Sequence, residues 1–427
     1  MTSLRGLIES AREELPAPPL ARWASVFFTL SVLTFLISLA ASQVFLALAG
    51  IAYGAYIVPG RRVPDFPPVK LPLALFCLFS TLSIFWAENR NVGGFAVRKL
   101  VLLLILLLAV NLVTTPRHLS TLMKALFLES ALVGVVAIGQ FVMQYRALRV
   151  VHPGEVYVYM SGDRVRGLMG HWMNFGGQQM LVFASLLAFL LLAPRPRKLW
   201  WLVSWVVAVS IVLNLTRGVW LGCFIACVYL VARWRPRWLW ALPILLVLGY
   251  IAAPELVRKR LDSVRHPSAD SSLALRFEMW QVGFRMIWNH PLVGVGPGNI
   301  PETYALYLPR REAPKLGYRE HLHNDYIQIA AERGLPCLAA WVWLMMALGW
   351  HFARTRRQLV SAPGENSRVW LADGALAGLL AFVAEGCFEF NFGTSPVLMV
   401  FLFMMSTPFV VECAKEGASS QESGVRS

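Results

Sequence analysis

Long apolar runs alternate with short polar segments along almost the whole chain of 427 residues. The runs are roughly 17 to 22 residues long, which is the length that an α-helix needs to cross about 30 Å of hydrocarbon. They lie near residues 25–41, 43–59, 71–86, 99–115, 123–144, 172–193, 199–215, 218–232, 237–253, 335–353, 369–388 and 395–412. This pattern predicts an all-α integral membrane protein with about twelve transmembrane helices.

The polar sequence between the runs predicts how the chain is divided. We expect a cytoplasmic tail over residues 1–24, transmembrane helices 1–9 over 25–253, one large extracytoplasmic loop over 254–334, helices 10–12 over 335–412, and a second cytoplasmic tail over 413–427. In the large loop, Asp270 to Ser272 are suited to cap a helix that runs to about Trp288. A second helix, about Leu322 to Glu332, is expected to end at Gly334, before Pro336 opens the next run.

Composition and charge support the membrane class. The chain is 57% hydrophobic and 15% charged, whereas about a quarter of the residues of an ordinary globular protein are charged. The short loops that lie inside if the first tail is cytoplasmic are all basic, as the positive-inside rule requires. The formal net charge of +15 is therefore mainly a topology signal and no indication of nucleic-acid binding. The six cysteines lie in or beside apolar runs, without the spacing of a zinc site or a disulfide framework.

The first helix of the large loop carries an arginine within an apolar, aromatic stripe. Helical spacing places six residues on one face, namely Leu273, Arg276, Phe277, Trp280, Phe284 and Ile287. Two interpretations of Arg276 remain open, since its guanidinium can stack on Trp280 or bind a phosphate group. The glycine-rich segment 294–299 lacks the preceding strand and the Lys-Ser/Thr pair of a phosphate loop, so it is expected to be only a turn.

The last part of the loop concentrates titratable groups at the membrane surface. His321 and His323 stand beside Asn324 and Asp325, immediately before the next apolar run. An imidazole can act as a general base near neutral pH. On a helix, Asp325 lies four residues from His321 and is expected to orient its ring, and Asn324 is expected to pair with Gln328 in the same way.

Several arginines of the predicted outer face are candidates for binding an anion. Arg217 lies between two apolar runs with almost no loop around it, where a charge is costly unless it is solvated or paired. It either reaches the lipid headgroups or faces an anionic group. Arg164 and Arg166 precede the run near 172–193, and one of them is expected to join the same basic cluster. The outer loops contain no closely spaced acid pair to hold a metal ion, so arginines would have to neutralise a diphosphate.

Several motifs follow one another in a fixed order along the chain. They are Ser83-x-x-Trp86-Ala87, Arg166-Gly167 with Asn174, Thr216-Arg217-Gly218, Arg276-x-x-x-Trp280, His290-Pro291-Leu292-Val293-Gly294-Val295-Gly296, and His323-Asn324-Asp325-Tyr326-Ile327-Gln328 followed by Glu332-Arg333-Gly334-Leu335. Together they resemble the bacterial O-antigen ligase and O-antigen polymerase superfamily over residues 83–335.

The resemblance implies a metal-independent, inverting glycosyltransferase without a cofactor, in the bacterial inner membrane with its active site on the periplasmic side. Its donor would be a glycan on polyprenyl diphosphate, and a ligase would transfer that glycan to a hydroxyl of a lipid A-core sugar or another glycan acceptor. By the resemblance, Arg217 and Arg276 bind the diphosphate and His323 activates the acceptor hydroxyl. The residues further expected to take part in substrate binding are His321, Arg166, Arg164, Asn324, Asp325, Trp280 and Arg98.

Two alternatives remain open. A polymerase of the same superfamily would extend one lipid-linked glycan with another, although the single large loop late in the chain, with the histidine motif at its end, favours a ligase. An ion-coupled transporter would use intramembrane acids, for which Asp373, Glu385 and Glu389 are the candidates. The two glutamates lie near the predicted outer end of their run, where they can instead pair with the arginines as structural support.

Overall fold

The structure is a computed structural model that describes residues 18–194, 196–265, 271–308, 320–362 and 365–424. Within these ranges all regular structure is helical and no strand is present, so the all-α class is confirmed. The helices are α1 Pro19–Val32, α2 Leu39–Ile57, α3 Lys70–Leu82, α4 Arg90–Val97, α5 Leu104–Leu112, α6 Pro116–Val151, α7 Val156–Gly162, α8 Trp172–Leu192, α9 Lys198–Leu213, α10 Arg217–Trp234, α11 Leu242–Ala252, α12 Glu255–Asp262, α13 Ser271–Asn289, α14 Ile300–Thr303, α15 Asp325–Ser361, α16 Val369–Glu385 and α17 Ser395–Gly424.

A helix occupies at least part of each of the twelve apolar runs. In the described part of the chain, seven segments are long and apolar enough to cross a membrane, namely Leu39–Ile57, Arg90–Leu112, Pro116–Val151, Trp172–Leu192, Arg217–Trp234, Asp325–Ser361 and Ser395–Ala414. The number becomes eight if Pro236–Ala252 and Glu255–Asp262, which meet at a bend of 119°, form one broken span. Twelve crossings and an outer location of the large loop therefore stay predictions.

The first two apolar runs form a hairpin whose turn is held by a buried carboxylate. α1 and α2 pack against each other along their length, and the turn between them contains Leu36. The backbone N–H of Leu36 donates to Glu129 Oε1 of α6 at 3.0 Å, and the Ser38 side chain caps α2 by accepting from the Ala41 N–H at 3.3 Å. These bonds satisfy backbone donors that apolar surroundings cannot.

A buried ion pair joins three helices at the end of the bundle away from the histidine motif. Asp373 of α16 is completely buried and accepts from Arg356 Nε of α15 at 2.8 and 3.0 Å. The hydroxyl of Tyr229 on α10 donates to the same carboxylate at 2.6 Å. Since a buried charge is tolerated only when it is paired, this network fixes α16 between its neighbours and positions the segment that follows it.

The second half of the large loop forms a tightly packed corner. α15 begins at Asp325, breaks at Gly334, where φ is 83°, and continues past Pro336 into the long apolar helix. The expected helix end at Gly334 is therefore confirmed. The glycine-rich segment lies against this break, because the N–H groups of Val295 and Gly296 donate to carbonyls at the end of the first part of α15 at 2.8 and 2.9 Å. The glycines of this segment thus take part in a backbone contact with α15.

The inward face of α13 differs from the expected one. The helix ends at Asn289, close to the expected Trp288, whereas Asp270 of the expected cap lies outside the described residues. Its buried residues are Glu278, Met279, Val282 and Met286, while Phe277 and Phe284 of the expected stripe are 51% and 59% exposed. The apolar ones pack with Leu322 and Ile327 in a small core of their own. Both aromatic rings are compatible with burial in lipid. A hydrophobic pattern cannot distinguish a helix face buried in lipid from one buried in protein, so it did not identify the inward face of α13.

Candidate functional site

One carboxylate connects three of the residues expected at the site. Glu389 follows α16 and is 5% exposed. Its Oε1 lies 2.8 Å from His323 Nδ1 and 3.4 Å from His321 Nε2, and its Oε2 accepts from Arg276 Nη2 at 3.3 Å. The N–H of Phe390 also donates to Oε1 at 3.2 Å. Arg276 therefore pairs with Glu389 and does not stack on Trp280, whose ring lies 6.0 Å from that of Phe388.

The two histidines precede α15 because Asn324 begins it. The side chain of Asn324 accepts from the Ile327 N–H at 2.9 Å and donates to the Cys387 carbonyl at 2.8 Å, so it both caps the helix and ties it to the segment after α16. His323 takes a φ of 50°, a left-handed conformation that is uncommon for a residue with a side chain. The turn brings the two imidazole rings to 4.3 Å from one another.

The expected pairing of Asp325 with His321 is wrong. Asp325 is completely buried and its Oδ1 accepts from the Phe392 N–H at 3.1 Å. The expected pair of Asn324 and Gln328 is wrong as well, since Gln328 accepts from the Leu322 N–H at 2.7 Å. Both expectations assumed that the helix includes the histidines, whereas it begins after them.

The charge of Glu389 is stabilised by its partners. Burial by itself raises the pKa of this carboxyl, but the charge on His323, hydrogen bonds from both histidines and the charge on Arg276 together outweigh burial and hold the pKa well below its usual range. A carboxylate that stays ionised can keep one nitrogen of each imidazole protonated and directed toward it. When a ring is neutral, its other nitrogen is then available to accept a proton.

Arginines from four separate segments converge beside this group. Arg164 is 8% exposed and donates to the Ser161 carbonyl at 2.9 Å and Thr216 Oγ1 at 3.3 Å. Burial, followed by the positive charges of Arg260, Arg276 and Arg217, lowers the pKa of Arg164 to about 9. A guanidinium keeps its proton in proteins, so the lowered pKa of Arg164 shows that burial, and after it the neighbouring positive charges, make its charge unfavourable here. An anion bound here would stabilise that charge.

Buried polar contacts fix the backbone that carries these arginines. Asn214 is completely buried and its Nδ2 donates to the carbonyls of Val165 and Trp172 at 2.9 and 3.1 Å. The next residue, Leu215, has a φ of 55° and accepts from Arg260 Nε at 3.1 Å. The turn between α9 and α10 is thereby joined to the segment before α8 and to α12, so the arginines are placed by the fold.

The remaining expected residues take different positions. Arg166 is exposed, and its backbone N–H donates to Gln140 Oε1 at 3.3 Å, so Arg164 is the member of that pair that joins the cluster. Arg217 Nη1 donates to Ser263 Oγ at 2.8 Å. Arg98 lies over the Phe95 ring at 5.3 Å and lines a separate apolar groove.

Sequence reasoning missed Arg260 and His171. Arg260 is 6% exposed on the short helix α12, and its only signal was an arginine one turn after the apolar residues Leu256 and Val257. His171 caps α8 by accepting from the Met173 N–H at 3.3 Å. Burial lowers the pKa of His171, while the negative charge of nearby Glu389 opposes that shift. An imidazole is an uncommon cap, and nothing in the sequence placed it near the other histidines.

The site also offers ligand atoms for a metal ion. Those of His321, His323 and Glu389 lie within 4.8 Å of one another, and two imidazoles with a carboxylate suit zinc. The electrostatics point the other way, because Arg276 is bonded to the same carboxylate, and the positive charges of Arg276, Arg217 and Arg260 all act on Arg164. A site with this excess of positive charge favours an anion over a cation.

A cavity of about 210 Å³ opens beside the histidines. It lies at the ends of several helices, and its polar lining includes Lys99, Glu320, His321 and Arg333. The arginine cluster does not contribute to this lining. His321 therefore borders this cavity, while its carboxylate partner Glu389 is bonded to Arg276 of the arginine cluster.

The apolar helices and the polar cluster at their ends define a multi-pass membrane protein with a site suited to an anionic substrate. Residues 202–342 match a family model described as O-antigen ligase. This match confirms the resemblance to the O-antigen ligase superfamily and implies a membrane enzyme that transfers glycans as a ligase or polymerase. The matched stretch contains Arg217, Arg276 and His323, whereas Glu389 lies outside it. No curated protein matches the chain.

Proposed function

We propose that this protein is a glycosyltransferase of the O-antigen ligase type that uses a glycan on polyprenyl diphosphate and a lipid A-core hydroxyl, on the periplasmic side of the bacterial inner membrane. One observation carries the proposal, which is that Glu389 bonds to both Arg276 and His323 beside three further arginines. Glu389 thereby holds Arg276, which would bind the anionic leaving group, next to His323, which would accept a proton.

In the proposed reaction, the acceptor hydroxyl attacks the anomeric carbon of the donor from the face opposite the diphosphate. The new bond joins the acceptor oxygen to that carbon, the bond between the carbon and the phosphate oxygen breaks, and the configuration inverts. The hydroxyl proton goes to Nε2 of His323, because Nδ1 is bonded to Glu389. Polyprenyl diphosphate leaves with the bonding electrons.

The arginines would lower the barrier by neutralising the leaving group. Arg276, Arg217 and Arg164 come from different segments, so a diphosphate between them would contact several guanidiniums at once. Arginine suits such bidentate phosphate contacts, and cationic groups placed where negative charge develops are among the largest contributions to catalysis. Arg260 would add to the same positive field.

Transport is the weaker candidate, because each acid on which it depended has a partner. Asp373 pairs with Arg356, Glu389 pairs with Arg276, and Glu385 accepts a hydrogen bond from Asn391. The expectation that the outer glutamates pair with arginines thus holds for Glu389. Polymerisation uses the same chemistry as ligation, and a choice between them depends on the acceptor.

The test is transfer in proteoliposomes that contain a polyprenyl-diphosphate glycan and a lipid A-core acceptor. We expect His323→Ala to lower transfer by about 10²–10⁴-fold, the usual contribution of a general base. His152→Ala is a matched control, because this ring stacks on Tyr159 at 4.4 Å, apart from the cluster. Longer lipid-linked glycans without use of the acceptor would indicate a polymerase. Loss of transfer with a chelator and its recovery with zinc would refute the metal-independent mechanism.

A further inference from the structure

An apolar groove of about 700 Å³ runs along the protein surface between α2 and the segment from α4 to α5. One wall is a single face of α2, with Leu39, Gln43, Leu46, Ala47, Gly50 and Ile51 at helical spacing. The stretch from Leu39 to Ile51 is roughly 18 Å long at the rise of an α-helix. The groove is therefore long enough to hold much of an extended hydrocarbon chain.

Small residues on α2 create the space in this groove. A Cβ atom added to Gly50 would meet nothing within 4 Å, and Ala47 lies one turn before it. The opposite wall exposes large apolar side chains, since Phe95 is 66% and Val101 58% exposed. These surfaces are apolar and open, which suits a lipid chain.

Positive charge lies on the wall opposite α2. Arg98 and Lys99 line the groove at the start of the 3₁₀ turn that precedes α5, where the apolar run 99–115 begins. A basic residue at this depth attracts an anionic headgroup. The combination of an apolar channel and two cations fits a lipid that has a phosphorylated head.

The groove adjoins the cavity beside the histidines at Lys99. Lys99 lines both, and its Nζ donates to the Gly393 carbonyl at 2.7 Å. His321 lines the cavity as well. A lipid whose chains lie in the groove would thus have its headgroup directed past Lys99 toward His321 and His323.

We propose that this groove holds the acyl chains of the anionic acceptor lipid, so that acceptor and donor reach the histidine pair from different sides. The inference rests on the proposed function. It assigns the groove to the acceptor because the diphosphate of the donor fits the arginine cluster, and none of Arg164, Arg217, Arg260 and Arg276 lines the groove or the cavity.

Binding of bisphosphorylated, acylated lipid A to the purified full chain tests the groove without any reaction. Gly50→Trp fills the groove and is expected to weaken binding about tenfold, the loss for roughly two methylene groups that leave an apolar site. Gly54→Trp is the matched control, since Gly54 lies one turn further on α2, also faces open space, and does not line the groove. Arg98→Gln is expected to weaken binding of this lipid and not that of a neutral diacylglycerol.

Transfer kinetics test which substrate uses the groove. We expect Gly50→Trp to raise KM for the acceptor and to leave KM for the polyprenyl-diphosphate donor unchanged. A raised donor KM would assign the groove to the polyprenyl chain and overturn the proposal. Equal lipid A binding by the Gly50→Trp and Gly54→Trp proteins would overturn it too, because the groove would then hold only bulk lipid. If lipid A binding depends on Gly50 while the wild-type protein transfers no glycan, the proposed function fails and the lipid site stands.

Discussion

In the proposed reaction, Glu389 would link substrate binding to proton transfer. Its Oε2 faces Arg276 and its Oε1 faces the two histidines. When a diphosphate approaches, Arg276 can exchange its carboxylate partner for a phosphate, which leaves Glu389 with the imidazoles alone. The negative charge then supports the His323 ring as it accepts a proton, which is the task of a carboxylate that orients a catalytic histidine.

Replacement of Glu389 by glutamine should separate orientation from binding. Glu389→Gln removes the charge that stabilises the protonated His323 ring, so we expect kcat to fall by at least about 100-fold. The donor KM should stay the same or decrease, because Arg276 loses a competitor for phosphate. Glu389→Asp should recover part of kcat. A purely structural role would instead lower the amount of folded protein in both variants, which a thermal unfolding assay in detergent detects.

The stabilisation that Glu389 contributes should depend on pH with a defined sign. The folded-state pKa of Glu389 is held well below its usual range, so its contribution is fully present above the unfolded value of about 4.3. It is lost as the pH falls through the lower, folded value. We expect the Tm difference between wild type and Glu389→Gln to shrink as the pH falls below that unfolded value. A difference that grows in acid would contradict this assignment.

The residue types of the site could be predicted, but most of their partners could not. Arg276 and His323 were identified because a charge in an apolar stripe and a histidine pair at a membrane surface are unusual. Asp325 was expected to orient His321, four residues before it, whereas the carboxylate that contacts both imidazoles is Glu389, 66 residues after His323. Reasoning from the sequence favours partners that are close along the chain. The acid that contacts the histidines is instead determined by how α16 packs against α15.

At the scale of elements, the corner between the glycine-rich segment and α15 sets the position of the histidine motif. A Cβ on Gly334 would lie 2.1 Å from the Leu292 carbonyl oxygen, and one on Gly294 2.3 Å from the Glu332 carbonyl carbon. Both residues also have positive φ. Backbone thus packs directly on backbone here, and the first turns of α15 are held rigidly above the membrane helix.

Gly334→Ala should therefore loosen this corner. The substitution combines an unfavourable φ, which costs about 1–2 kcal/mol for a residue with a side chain, with an overlap that requires the backbone to move. We expect a lower Tm and faster hydrogen exchange in residues 325–333. Gly349→Ala, further along α15, is the control, because its Cβ would lie at an ordinary 3.5 Å from Leu379. Equal Tm values for the two variants would show that the corner tolerates a side chain.

At the scale of the whole molecule, the sequence pattern identified the helices better than the crossings. Apolar runs found every candidate membrane span in the described residues, since burial in lipid or in protein requires the same residue types. They could not show that α1 stops after 14 residues or that Pro236–Ala252 bends by 119° into the next helix. The turn after α1 depends on the buried Glu129, and the bend lies at Ala253-Pro254. Neither leaves a periodic signal in the sequence.

The parity of the crossings separates an even count, twelve or eight, from a count of seven. Twelve spans place the residues before α1 and those after α17 on the same side, whereas seven place them on opposite sides, and only an even count agrees with basic residues in every predicted inside loop. We expect a green fluorescent protein fused after residue 424 to fluoresce, and an alkaline phosphatase fused there to be inactive. A cysteine at Ser161, before the arginine cluster, should react with a membrane-impermeant maleimide from outside. An active phosphatase at the end of α17 would place that end outside, and it would require an odd number of crossings if the residues before α1 are cytoplasmic.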